Sequence, residues 1–231
     1  MKQLILPGEP PVTVNLRVSA RAKRLSLRVS QLDRKVSLTL PRRASLREAR
    51  AFLDERAEWV RKHLASAPEP RRLAPGDEVL FAGRAHRLVA SGGRSARLGD
   101  GVITLPLSAP EKTGPRLAAL FKAQARARLG EASSRHAAAL GRQFTALTLR
   151  DTRSRWGSCT SEGRLMYSWR LVMAPPEVLD YVAAHEVAHL VEMNHSPAFW
   201  QNVARLCPDY RARRQWLRQN GAILHAYRFR D

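Results

Sequence analysis

His185-Glu186-Val187-Ala188-His189 joins two histidines four residues apart to a glutamate beside the first. On a helix of 3.6 residues per turn, His189 lies about 40° round from His185 and Glu186 about 100°, so all three share one side. Two neutral imidazole nitrogens on one face suit a Zn²⁺ ion, and a neighbouring carboxylate can take a proton from a water held there. His185 and His189 are therefore expected as metal ligands and Glu186 as the catalytic carboxylate, with one zinc ion per chain. The expected chemistry is hydrolysis. Zinc brings the pKa of a bound water to about 7, and Glu186 accepts the proton and returns it to the leaving group.

A catalytic zinc takes three protein ligands, and the downstream candidates are Glu192, His195, Asp209 and His225. If the helix ran on through Asn194, His195 would lie roughly 9 Å along the axis from His189 and off its face. His195 can therefore bind only if the helix breaks first. Asn194 tolerates the left-handed conformation that closes helices, and Ser196-Pro197 makes an N-cap and first-position pair for a new helix, Pro197–Leu206. That places His195 in a corner between two helices and favours it as the third ligand. The step from His189 to His195 equals that of the HExxHxxGxxH pattern, with Glu192 in place of the turn glycine. Glu192 is expected beside the site or on the surface, and Asp209, after Pro208, reads as a first-turn helix carboxylate.

The elements that must position these residues read as follows. Residues 12–18, 25–29 and 36–40 alternate as strands, and Pro41 ends the last. Ser45 and Glu48 form a capping box for a helix over 45–64. A linker with three prolines spans 66–76. Short strands follow at 78–81, 85–89 and 102–105, and Gly92-Gly93 among them opens no helix, so it is no phosphate loop. A long helix runs from Thr113 or Gly114 to about Leu140, where His136 reads as a surface or packing residue. Strands over 146–150 and 165–172 flank the segment Arg153–Gly163, and Pro175-Pro176 sets up the metal helix, with Glu177 and Asp180 in its first turn. The sequence shows no internal repeat.

Composition narrows the classes. The chain has 231 residues, 44% of them hydrophobic, enough to bury a core. Its two cysteines, Cys159 and Cys207, make no disulfide framework and suggest a reducing compartment. Leu4-Ile5-Leu6 is too short an apolar stretch for a signal peptide, and no later run spans a membrane, so a cytoplasmic protein is expected. The formal charge is +20, and only six of the 40 basic residues are Lys. Such an arginine excess attracts phosphates, although a genome rich in Ala and Arg codons produces it too.

Further motifs carry a resemblance. Ser154-Arg155-Trp156-Gly157-Ser158-Cys159, Trp169-Arg170-Leu171, Ala174-Pro175, Leu179-Asp180-Tyr181-Val182, the HExxH, Asn194-His195-Ser196 and Phe199-Trp200 together resemble the YgjP-like metallopeptidase family. These are predicted metal-dependent hydrolases distantly similar to the SprT-like and WLM groups. With Arg21–Val29 and the helix opened by Ser45, the resemblance covers most of residues 20–220. It implies a gluzincin-like catalytic half with a β segment beside the metal helix, three ligands at His185, His189 and His195, and Glu186 as the catalytic carboxylate. Tyr167 replaces an Asn expected ahead of the Trp-Arg-Leu triplet.

The expected fold is α+β. A β-rich N-terminal part over 1–110 holds the helix 45–64 and the short strands of 78–105. A zincin-like helical domain over 111–231 holds a small antiparallel sheet and the HExxH helix. The expected function is zinc-dependent hydrolysis of peptides. Two alternatives are a metal-dependent hydrolase of nucleotides or other phosphoanhydrides, and a nucleic-acid-associated protease or binding protein. Arginine clusters at 21–28, 42–47 and 211–218 motivate the last. Arg155, Tyr167 and Arg170 are candidates for substrate or transition-state contacts. Equally, Arg155 and Arg170 could pair with carboxylates, Trp156 and Trp169 could be core, and Cys159 could be a small buried residue; as a fourth metal ligand it would leave no place for water.

Overall fold

The computed structural model describes residues 3–30, 34–106, 108 and 110–229. The chain is mixed α+β and divides into two compact units, Met1–Glu69 and Pro70–Asp231. The division falls in the proline-rich linker, not at 110/111, and the strands of 78–105 belong to the second unit. No helix among the described residues is long and apolar enough to cross a membrane.

In the first unit, β1 (Gln3–Leu6), β2 (Val12–Ser19), β3 (Ser26–Val29) and β4 (Val36–Pro41) form a sheet in the order β1-β2-β4-β3. Strand β4 alternates buried and half-buried residues, and Val36, Leu38 and Leu40 meet Val14, Ala49, Leu53 and Val60 in one core. The capping box at Ser45 and Glu48 is present and opens α1 (Leu46–Glu55). The helix expected over 45–64 is interrupted at Arg56, whose N–H turns to the Leu53 carbonyl, and winding resumes as α2 (Ala57–Ala65). The Leu4-Ile5-Leu6 stretch lies in strand β1.

The second unit opens with β5 (Arg71–Arg72), β6 (Glu78–Phe81), β7 (Arg84–Ser91), β8 (Arg97–Leu98) and β9 (Val102–Pro106). The order β6-β7-β9-β8 repeats that of the first sheet, with a parallel central pair and antiparallel outer pairs. The topology thus recurs where the sequence shows no repeat. Next comes α3 (Thr113–Ala139), which buries Leu117, Phe121, Ala125 and Leu129. A third sheet follows: β10 (Ala146–Arg150), β11 (Gly157–Cys159) and β12 (Arg164–Ser168), in the order β10-β12-β11. It is mixed, not antiparallel. β11 crosses to the far side of the place β12 then fills, so β12 runs parallel to β10 and antiparallel to β11.

The strand expected through Val172 stops at Ser168. Trp169–Met173 winds as a 3-10 turn in which every residue is buried. A two-faced strand needs alternation, and α3, β6 and the helices α4 (Pro176–Ala188) and α6 (Tyr210–Ala226) enclose this segment instead. Between those helices lies α5 (Pro197–Leu206), and β13 (Tyr227–Arg228) closes the chain against β5. His136 is buried on α3, with Nε2 3.0 Å from Asp180 Oδ1, which Arg135 also contacts.

Arg170 ties the 3-10 turn to both flanks. Its Nε donates to Asp151 Oδ1 at 2.6 Å, and Nη1 donates to the carbonyls of Leu224 and Tyr227. Arg170→Leu would orphan two buried carbonyls and leave Asp151 to solvent, costing about 3 kcal/mol. Denaturant unfolding should show that loss, and a change under about 0.5 kcal/mol would remove Arg170 from this role.

Candidate metal centre

Pro176 occupies the first position of α4, where a missing N–H costs nothing, and Glu177 sits in the first turn. The helix is buried along most of its length, so its last turn delivers His185 and Glu186 from a rigid base. It stops early: Ala188 is the last helical residue, and His189 caps it at φ −66°, ψ −15°. The expected left-handed Asn194 is not the cause, since the positive-φ non-glycine residues among those described are Arg34 and Ala82. Instead the N–H groups of Leu190, Val191 and Glu192 fold back onto the carbonyls of Val187 and Ala188.

The Glu192 carbonyl then lies 2.9 Å from His189 Nδ1. A carbonyl only accepts, so His189 carries its proton on Nδ1 and presents a lone pair at Nε2. Asn194 Oδ1 accepts from Ser196 N at 2.9 Å, and Ser196 Oγ accepts from Phe199 N at 3.2 Å, which opens α5 behind Pro197. His195 therefore sits in the corner between α4 and α5.

One nitrogen from each of His185, His189 and His195 lies within 4.8 Å of the others, and no other such group occurs among the described residues. His195 Nε2 is 3.2 Å from His185 Nε2. A tetrahedral ion with bonds of about 2.0–2.1 Å has ligand edges of about 3.3 Å, so this pair already stands at the spacing of two ligands. Two lone pairs face one another at that range only with a proton or cation between them. His185 Nδ1 is buried without a partner among the described residues, so the ring's polar contact lies at the Nε2 end. Burial, with His189 and His195 alongside, pushes His185 down to about 3, and burial also lowers His189. Neutral imidazole is the form that binds metal, and this donor set fits zinc.

Glu186 is 5% exposed, and its carboxylate lies against the backbone of β11. A Cβ at Gly157 would stand 2.5 Å from Glu186 Oε1 and 2.6 Å from its Cγ, so only glycine admits the carboxylate there. Burial pushes Glu186 up to about 8, with Arg155 opposing. On the same side of β11, burial and Glu186 raise the half-buried Cys159 thiol to about 11. Around the histidines, Phe199 stacks on His189 with centroids 4.4 Å apart, and Trp200 lies 5.7 and 5.8 Å from His185 and His195. The Arg214 guanidinium covers the Trp200 ring. Gly157 and Trp200 stood in the motifs, but nothing in their type or spacing tied them to the histidines.

The other candidates differ in exposure and in partners. Tyr167 is fully buried and hydrogen-bonds Ser133 at 3.0 Å, which leaves it no surface for a substrate. Arg170 is buried and paired with Asp151. Arg155 is exposed and acts electrostatically on Glu186. Trp169 is core, and Trp156 is half-buried. Glu192 contributes its carbonyl, Asp209 precedes α6 near Arg213 at 3.9 Å, and His225 packs on Trp156 with centroids 4.9 Å apart.

Burial and the Arg170 charge push His225 down to about 4, against 6.5 ordinarily. The unfolded chain thus binds a proton that the folded chain refuses between those values. The neutral ring's contribution is complete above pH 6.5 and is lost as pH falls through the window to about 4. His225→Gln should flatten the pH dependence of unfolding free energy across that window. An unchanged slope would rule out His225 as its source.

The family model described as YgjP-like, metallopeptidase domain, matches residues 23–220. No curated protein matches the chain. Among solved structures, the chain is similar to the metallopeptidase zymogen of Pyrococcus abyssi abylysin, at 22% identity and a TM-score of 0.36, over 40% of this chain and 92% of that one. With a family match spanning most of its length, this chain belongs to the YgjP-like metallopeptidase family.

Proposed function

We propose that this protein is a zinc-dependent peptidase in which His185, His189 and His195 hold one zinc ion and Glu186 is the general base. The observation that carries this reading is the convergence of three imidazoles, two before a chain reversal and one after it, beside a buried carboxylate. When bound, the ion supplies a Lewis acid and lowers the pKa of a water to about 7.

The chain's own residues supply the rest. Glu186, held against Gly157, accepts a proton at its carboxylate and returns it to the departing amide nitrogen. A carboxyl raised toward neutrality is suited to both transfers. Arg155 is the cation placed to meet charge developing on a carbonyl oxygen, a role that burial denies to Tyr167 and Arg170. Phe199 and Trp200 wall the imidazoles on one side and limit water there. Family membership supports a peptide substrate.

A phosphoanhydride substrate is the second reading, favoured by the exposed Arg155 guanidinium near Glu186, because a guanidinium fork suits phosphoryl oxygens. The nucleic-acid reading lacks such support. In the 211–218 cluster, Arg213 lies 3.8 Å from Glu177, Arg211 bonds Tyr210, and Arg214 covers Trp200.

Peptides and nucleoside triphosphates, assayed side by side with zinc content matched, separate the two substrates. Glu186→Gln should retain zinc and lose about 10²–10⁴-fold in turnover; full turnover would remove Glu186 as base. His195→Ala should lose zinc, and undiminished zinc would move the third ligand elsewhere. Gly157→Ala should keep zinc and lower kcat about 10²-fold with little change in KM, because its methyl displaces Glu186. Wild-type kcat there would contradict the close approach.

A further inference from the structure

The three-stranded sheet turns one face to α3 and α4 and the other to solvent. On β10, Leu147 and Leu149 point inward, while Ala146, Thr148 and Arg150 are exposed. On β11, Gly157 and Cys159 lie toward Glu186, so Ser158, between them, faces outward. The outward face and the segment after β10 enclose a cavity of about 460 Å³.

Three guanidiniums line it, Arg150, Arg155 and Arg164, together with Ser154 and Ser158. The side chains of Arg150 and Arg164 are exposed and make no hydrogen bond or ion pair among the described residues. The same holds for the hydroxyls of Ser154 and Ser158. Among the described residues, no carboxylate lines the cavity. The nearby Glu162 acts on Arg164 only at a distance and directs its Oε1 to Ser161 Oγ at 2.7 Å. Met166 and Ala146 give the cavity an apolar part.

We propose that this cavity is a binding site for a phosphoryl group carried by a small organic molecule, separate from the metal centre. Three guanidiniums, of which Arg150 and Arg164 have no partner among the described residues, and two hydroxyls match a dianion with three acceptor oxygens. The volume exceeds what a bare ion needs and falls in the range of small-ligand sites, about 300–1,000 Å³. Apolar Met166 and Ala146 provide a surface for the organic part. The site is independent of the peptidase reading, because the sheet separates its residues from the imidazoles, and only Arg155 borders both.

Isothermal titration of the full chain with O-phosphoserine, inorganic phosphate and serine at fixed ionic strength tests it. One saturable phosphoserine site per chain is expected, with no binding of serine. Arg150→Gln combined with Arg164→Gln should weaken binding at least ten-fold, and Thr148→Glu, which sets a carboxylate on the same face, should do likewise. Arg21→Gln combined with Arg24→Gln, in the first unit, should change nothing. Phosphoserine should bind more tightly than inorganic phosphate; equal affinity would show that the organic part is not recognised and would contradict the proposal. Absence of saturable binding, equal weakening by the first-unit pair, or indifference to both cavity variants would overturn the proposal.

Discussion

Helix α4 gives up regular winding at His189, and the carbonyl of Glu192, three residues on, meets the Nδ1 of that same side chain. One contact thus serves two purposes. It closes the helix end by satisfying a donor within the reversal, and it fixes which nitrogen of His189 is left as a lone pair. Had α4 continued through Asn194, His195 would have been carried about 9 Å onward and round the axis. The early stop returns it to 3.2 Å from His185. The convergence of the three imidazoles is therefore a property of the backbone reversal as much as of the three residues.

The carboxylate depends on a second constraint, the distance between α4 and β11. Glu186 lies so close to the strand that position 157 has no room for a methyl group. That spacing is set from behind. The 3-10 turn Trp169–Met173 continues directly from β12 and is enclosed by α3, α4 and α6, with Arg170 bonding carbonyls at the end of α6 and beyond it. Backbone bonds from Ala82 and Gly83 to Val172 and Met173 tie the same turn to the β6–β7 hairpin. Sheet, turn and helix thus hold β11 over Glu186 as one packed body, the preorganisation that the proposed general base requires.

Legibility followed the range of the interactions. The capping box at Ser45, the start of α5 at Ser196-Pro197 and the alternation of β2 and β4 are local, and their residues carry the signal. The pairing of His185 with His189 was legible because four residues make one helical turn. That His195 comes round was legible, but the means was not: Asn194 caps Ser196 through its side chain and takes no left-handed conformation. The reversal is built from backbone groups, which every sequence has. Likewise Tyr167 stands just ahead of the Trp-Arg-Leu motif and Arg170 within it, and both could have faced a substrate. Their burial follows from the enclosure of Trp169–Met173 by distant helices, which alternation within the segment does not encode. Gly157 shows the same limit, since its lack of a side chain matters only once Glu186 lies against it.

X-ray absorption at the zinc edge of the metal-loaded chain reads the coordination of the ion itself. Three imidazole nitrogens at about 2.0–2.1 Å and no sulfur are expected, with one imidazole lost in His195→Ala. A sulfur scatterer at about 2.3 Å, which would implicate Cys159, or a first shell with only two imidazoles, would contradict the three-histidine site.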